Sequence, residues 1–397
     1  MHFRAAIVWP CDTVDISGSG CGTPVCRISS KRFEVRGIHD RVGSEQQDMT
    51  LDSVSAAQRM TSRDLPDGLG PAVDDWAADL DRTTRSGKGM RSALFDAVYT
   101  HAGGRDESVR AAACQALELL HEAFLVHDDV ADGDDHRRGR PNLQGRTTTR
   151  GTEQGLSREA AAHVGMVGGL LGGDLLLVAA MGEFARLPVP GPVLHRAMAE
   201  VERAVVASIA GEYADVHGAA HGEPTTQEHA LAIGAAKTAA YSVTLPMVLG
   251  VVLAGGPEEM IPPLRETGRH LGTAYQVVDD VLGVFGDPAV TGKSNEGDLV
   301  RRAPTVLLAF ASTTDLWPRV DVALGGTDAG RADTDGARPD PAAARALLAE
   351  CGARDHALGI AEDLVTAARA ALDSPAVPHE LRSALDPHLA TALERTR

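Results

Sequence analysis

From His121 to Pro141 the chain reads HEAFLVHDDVADGDDHRRGRP, and its residue types are those of a site for metal-bridged phosphate. Asp128, Asp129, Asp132, Asp134 and Asp135 run into Arg137-Arg138-Gly139. On a helix, Asp128 and Asp132 share one face with Asp129 beside them. Carboxylates so spaced repel and weaken the helix unless cations lie among them. Clustered carboxylate oxygens suit Mg²⁺, above all when the ion also carries phosphate oxygens. The arginines that follow can fork onto phosphate. A solvated acidic helix end before a basic turn is the plainer account of such a run. It leaves unexplained the apolar stretch Ala123-Phe124-Leu125-Val126, which marks a helix buried along part of its length.

A second pair shifts the balance. In Tyr275-Gln276-Val277-Val278-Asp279-Asp280-Val281-Leu282-Gly283, Gln276, Asp279 and Asp280 fall on one helical face. A turn-rich charged stretch with Asp287, Lys293 and Asp298 follows. Two acidic helix faces, about 150 residues apart, can face each other across a bundle and hold metal between them.

The elements that must position these residues are helical. Hydrophobic residues are 43% of the 397 but aromatics only 4%, so the core is aliphatic and rich in alanine, a helix former. Nearly all of the chain from about Leu65 onward reads as α, with helices expected over Ala111–Val130, Arg158–Phe184, Val193–His217 and Thr225–Ala254. Val164–Met181 and Ala239–Gly255 approach membrane-spanning length. Asp174 interrupts the first and Pro246 the second, so both are expected as buried bundle helices rather than spans.

A net charge of −17 leaves no basic patch to follow a nucleic-acid backbone, so no nucleic-acid partner is expected. Pyrophosphate is still accommodated, because metal ions supply the positive charge locally. The run Ala5–Pro10 is too short for a secretory signal, and a cytoplasmic location is expected. Three of the five cysteines lie before residue 48 without metal-site spacing and read as free thiols. Residues 1–48 are expected to be a disordered extension, 49–397 one all-α domain, and 325–341 an exposed loop within it.

Taken together, these residues resemble the trans-isoprenyl diphosphate synthase (polyprenyl synthetase) family over roughly residues 75 to 397. Asp128-Asp129-x-x-Asp132 with Arg137-Arg138-Gly139 is similar to the family's first aspartate-rich motif, and Gln276 with Asp279-Asp280 to its second. Gly87-Lys88-Gly89-Met90-Arg91 resembles its GKxxR element, and His121 stands seven residues before Asp128 as in the family. Gly211-Glu212-Tyr213-Ala214-Asp215 resembles its GQxxD segment, and Lys237-Thr238 its KT pair.

The resemblance implies one large helical bundle of the isoprenoid synthase type with a central cavity, and a homodimer. It implies a Mg²⁺-dependent prenyltransferase joining isopentenyl diphosphate to an allylic diphosphate. The metal would fall to Asp128, Asp129, Asp132 and Asp279, with Asp280 and Lys237 in the catalytic set. Lys88, Arg91, His121 and Arg138 would hold isopentenyl diphosphate. Arg137, Lys237 and Lys293 would contact the allylic diphosphate, with Thr238 and Gln276 among the substrate-binding residues. Ala123 and Phe124, one turn before Asp128, would form the floor under the growing chain. One small and one aromatic residue there imply intermediate depth and geranylgeranyl diphosphate as product. Farnesyl or longer products, a class I terpene cyclase and a non-catalytic partner subunit stay open. The chain departs from the family pattern where Gly283 replaces the last aspartate of the second motif and Ala303 a lysine, leaving Arg301 or Arg302 to supply that charge. Ser86 and Ser92 also replace the usual residues flanking GKxxR.

Overall fold

The structure, a computed structural model, describes residues 65–66, 68–83, 89–222, 224–287, 295–326 and 339–394. Contacts divide the chain into Met1–Ser44 and Glu45–Arg397; the first unit, like the expected 1–48 extension and most of the 325–341 loop, lies outside the described residues.

The second unit is a helical assembly. Its first half comprises α1 (Pro71–Thr83), α2 (Met90–His101), α3 (Glu107–Asp132), α4 (Leu143–Glu153), α5 (Arg158–Ala185) and α6 (Gly191–His221). Next come α7 (Gln227–Gly234), a π-helix (Ala235–Thr244) and α8 (Leu245–Ala254), continuous in chain, and then α9 (Ile261–Phe285). The C-terminal part comprises α10 (Gly297–Arg301), α11 (Val306–Ala311), α12 (Trp317–Ala323), α13 (Pro341–Glu350), α14 (Ala353–Leu372) and α15 (His379–Glu394). Among the described residues the only sheet is a two-stranded hairpin, β1 (His136–Arg137) with β2 (Arg140–Pro141). The all-α expectation holds.

α3 carries the first acidic motif, and its sequence dictates its limits. Asp106 caps it, accepting from the Ser108 and Val109 amides, and Gly133 ends it in the left-handed conformation at φ 69°. Val109, Ala113, Ala116, Leu117, Leu120 and Ala123 recur at helical spacing and are buried. They pack against α5, which turns glycines and alanines inward, so that Val130 and His127 of α3 lie against the backbone of Gly169 and Gly173. The buried core is chiefly aliphatic, as composition required.

One expectation needs correcting. The stretch Ala239–Gly255 is mostly buried, with Leu245 to Leu253 wholly inside. α5 is not: Val164, Met166, Leu170, Leu171 and Val178 lie exposed on its outer side. Alternation of small and large apolar residues gave this helix two apolar faces, and neighbours within the chain cover only one. By length and composition both segments could cross a membrane.

Glu122 is a buried carboxyl on α3. Burial pushes it up to about 7, with Arg138 opposing the shift and Glu118 adding to it. Its ordinary value is 4.5, so between 4.5 and about 7 the folded protein keeps a proton that the unfolded chain has released. The stability from this group is therefore full below pH 4.5 and lost as pH rises through about 7, a change on the order of 3 kcal/mol. Glu122→Gln should raise the melting temperature at pH 8 and leave it nearly unchanged at pH 4.5. Equal shifts at the two pH values, in parallel thermal melts, would remove titration as the cause.

Candidate active site

α3 and the hairpin after it assemble the first motif. Arg138 and Gly139 both adopt positive φ, 53° and 71°, the pair of values that closes a two-residue hairpin with the right twist. An arginine in that conformation is strained, by roughly 1 kcal/mol. The turn brings Arg137 back over α3, where Nη2 donates to Asp128 Oδ2 and Nε to Asp129 Oδ1, both at 2.7 Å. Asp129 is buried, while Asp128 and Asp132 are half-buried and face the site.

Lys237 draws a third helix in. From the π-helix its Nζ reaches Asp215 Oδ2 at 2.7 Å, Glu212 Oε2 at 3.0 Å and Asp128 Oδ1 at 3.3 Å. Burial opposes its charge, yet Asp128, Asp215 and Glu212 hold its pKa well above the usual lysine value. The approach depends on Gly211, because a side chain there would collide with the backbone of Lys237. Glu212 stands where the family pattern has glutamine. Burial raises its carboxyl, against the pull of Lys237.

The second motif closes the C-terminal part of α9. Thr238 Oγ1 donates to Gln276 Oε1, and Gln276 Nε2 donates to Asp280 Oδ1 at 2.8 Å. Burial, then the charge of Asp298, pushes the Asp280 carboxyl well above the usual range. Asp279 is exposed beside it. At Gly283 the Asp298 carboxylate occupies the space that a β-carbon would need. Arg301 joins the two motifs, with Nη1 2.7 Å from Asp132 Oδ1 and Nη2 2.9 Å from Asp298 Oδ1.

A second polar group lies around Tyr241. Arg91 donates from Nη2 to Ser242 Oγ at 2.7 Å and stacks its guanidinium over the Tyr241 ring at 5.4 Å. Its Nε is buried and finds no hydrogen-bond partner among the described residues. His121 Nδ1 lies 3.3 Å from Tyr241 Oη. Burial, then Arg91, Arg137 and Arg138, hold its pKa well below the usual value, so it is neutral at pH 7. Phe124 packs its ring 4.6 Å from that of Tyr241, and Ala123 is fully buried.

The structure thus joins Asp128, Asp129, Arg137 and Lys237 through ion pairs, pairs Asp132 with Arg301, and links Thr238, next to Lys237 in the chain, to Gln276 and Asp280 through hydrogen bonds. Arg91, His121 and Phe124 meet at Tyr241. Arg138 lies in the hairpin turn. Lys88 and Lys293 lie outside the described residues. Several site residues were not singled out from sequence. Tyr241 follows Lys237 by four and carried a helical signal, but nothing marked it as a hub. Glu212 and Asp215 carried only the motif resemblance, and the partners of Asp298 needed the tertiary structure.

The donor set fits a hard divalent cation. One carboxylate oxygen each from Asp128, Asp132 and Glu212 lie within 4.8 Å of one another. All-oxygen, anionic donors suit Mg²⁺, which keeps waters and takes phosphate oxygens in its other positions. Asp129, also expected among the ligands, accepts from Arg137 as Asp128 does.

Gly283 and Gly359 both lie within helices but in opposite surroundings, since no atom lies within 4 Å of a β-carbon built at Gly359. Gly283→Ala should destabilise by about 1–3 kcal/mol through overpacking on Asp298. Gly359→Ala should stabilise by about 0.5–1 kcal/mol through helix propensity. Denaturant titration of both variants checks this, and a stabilised Gly283→Ala protein would contradict the packing described.

A family model, Polyprenyl synthetase, matches residues 77–319. The chain is 32% identical over 310 residues to a protein of Mycobacterium tuberculosis named (2E,6E)-farnesyl diphosphate synthase, covering 74% of this chain and 77% of that one. It is 33% identical over 237 residues to a geranylgeranyl diphosphate synthase of the same organism, covering 59% and 62%. Among solved structures, geranylgeranyl pyrophosphate synthase from Corynebacterium glutamicum, complexed with isoprenyl diphosphate and magnesium, superposes with a TM-score of 0.75 at 28% identity, covering 88% of this chain and 97% of that one. With its paired aspartate motifs in place on an all-helical frame, the chain belongs to the polyprenyl synthetase family and is a prenyltransferase.

Proposed function

We propose that this protein condenses isopentenyl diphosphate with an allylic diphosphate to make geranylgeranyl diphosphate, using Mg²⁺. The observation that carries the reaction is the grouping of Asp128, Asp132 and Glu212 beside Arg137, Lys237 and Arg301, with Arg91 and His121 gathered separately around Tyr241. One cluster suits a metal-bound diphosphate; the other offers a guanidinium and a neutral imidazole to a diphosphate that needs no metal.

Asp128, Asp132 and Glu212, with Asp279, would hold magnesium, which would supply Lewis-acid neutralisation of the allylic diphosphate. Arg137 and Lys237 donate to its oxygens as the allylic C–O bond breaks and the electron pair stays on oxygen. Arg91, with Lys88 and Arg138, binds the second diphosphate, and neutral His121 donates a hydrogen bond to it. That grip aims the isopentenyl double bond at the allylic cation. The new C–C bond forms, and a proton passes from C2 of the isopentenyl unit to an oxygen of the released diphosphate, leaving a trans double bond.

The product assignment rests on Ala123 and Phe124. Relatives of nearly equal identity are named as farnesyl and as geranylgeranyl synthases, so the floor has to decide. Phe124, backed by Tyr241, would stop the chain, while Ala123 opens the space beside it. With Mg²⁺, isopentenyl diphosphate and dimethylallyl, geranyl or farnesyl diphosphate, the dephosphorylated product should chromatograph as geranylgeraniol. Phe124→Ala should shift it to longer alcohols. Farnesol from the wild type would overturn the product assignment. No elongation by folded protein, with any starter, would overturn the condensation itself.

The proposal extends to a cytoplasmic homodimer. Val206, Ile209, Tyr213 and Val216 form an exposed stripe on α6, and Val164, Leu171 and Val178 another on α5. Helical spacing keeps each stripe on one face, and patches of this kind mark contact surfaces. A second copy, related by a two-fold axis, would bury them against their own counterparts. Light scattering should give a dimer for the wild type and a monomer for Ile209→Glu. A monomeric wild type, or one that floats with liposomes, would overturn this.

A further inference from the structure

Two adjacent arginines follow the second motif, and the backbone sends them opposite ways. Arg302 adopts φ 57° at the end of α10 and pairs with Asp321. Arg301 faces the carboxylates instead. Its two terminal nitrogens reach Asp132, at the end of the first motif, and Asp298, whose carboxylate lies against Gly283 of the second. Among the described residues, Arg137 and Lys237 form their ion pairs with acids of α3 and α6, whereas Arg301 pairs with an acid on each side of the site. Its side chain is 29% exposed and lines, with Asp132, Asp215 and Ala303, a cavity of about 210 Å³. Ala303 contributes only a methyl group there, so the cavity's positive charge comes from Arg301 alone among its lining residues.

We propose that Arg301 binds the metal-bound diphosphate, exchanging its contact with Asp132 for one with the diphosphate while keeping hold of Asp298. The inference rests on the prenyl diphosphate reading above and adds a specific residue to it. A guanidinium presents the same fork of donors to a carboxylate as to a phosphate, so the exchange needs no change in donor geometry. A metal ion drawing on the Asp132 carboxylate competes with Arg301 for its charge. Release of Arg301 therefore accompanies loading, and the cavity gives the freed head room to turn. Burial opposes the charge on Arg301, but Asp132 and Asp298 more than offset this and keep it protonated.

The test is calorimetric titration of the full-length protein with inorganic pyrophosphate, with and without excess Mg²⁺, so that the Mg²⁺-dependent binding is isolated. Arg301→Gln should weaken that binding about tenfold or more, and Arg301→Lys by less, as expected for one charge-assisted contact. In steady-state assays the KM for the allylic diphosphate should rise with it and that for isopentenyl diphosphate stay within about twofold. Arg301→Gln combined with Ala303→Lys, which returns a cation to the same cavity, should recover most of the loss and shows that the first variant is not merely misfolded. Unchanged Mg²⁺-dependent binding in Arg301→Gln, or a loss that Ala303→Lys leaves untouched, overturns the role of Arg301. A wild type that binds no pyrophosphate even with Mg²⁺ overturns the underlying reading instead.

Discussion

Mutual repulsion among carboxylates is the constraint on which this structure turns. Asp128, Asp132, Glu212 and Asp215 come from two helices far apart in sequence, and Lys237 from a third element holds three of them together. Each carboxylate alone would favour water. In the partly buried cleft the Coulomb attraction to one shared ammonium outweighs that preference, which is why the Lys237 charge is so firmly held. Removing the cation would leave three acids facing one another, so the meeting of α3, α6 and the π-helix is an electrostatic construction as much as an apolar one.

The backbone pays for this closeness in unusual geometry. A ten-residue π-helix carries Lys237, Thr238, Tyr241 and Ser242, every one of which contacts a site residue. Wider winding than an α-helix is rare and concentrates at functional positions. Here it lets residues four and five apart face both clusters: Lys237 turns to the acidic side, while Tyr241 and Ser242 turn to Arg91 and His121. Gly211 serves the same end from the opposing helix by removing the side chain that would hold α6 off.

Much of this was legible in the sequence because it is local. Asp128 and Asp132 share a face whatever surrounds them, and the helix expected over Ala111–Val130 is found as Glu107–Asp132, extended at each end by a cap that periodicity does not register. Thr238 and Gln276 were singled out by motif, and they prove to be hydrogen-bonded to each other across 38 positions of sequence. What was illegible depends on tertiary neighbours. No pattern distinguishes Arg301 from Arg302; the difference is one left-handed residue. Nor does sequence reveal that Asp298 fills the place vacated at Gly283, or that one face of α5 stays uncovered.

Charge balance explains why a metal suits this site better than further basic residues would. Among the described residues, Asp128, Asp129, Asp132, Glu212, Asp215 and Asp298 are all paired to Arg137, Lys237 or Arg301, so these three cations are shared among six acids. Burial first, and neighbouring acids after it, raise the carboxyls of Glu212 and Asp280. A diphosphate entering such a field would be repelled unless dications came with it. Extra lysines would cure the repulsion, but they would bind the carboxylates permanently and leave nothing to attract a metal-bound ligand. A site held slightly too negative attracts metal and diphosphate together, and it lets the diphosphate product leave once that pairing is undone.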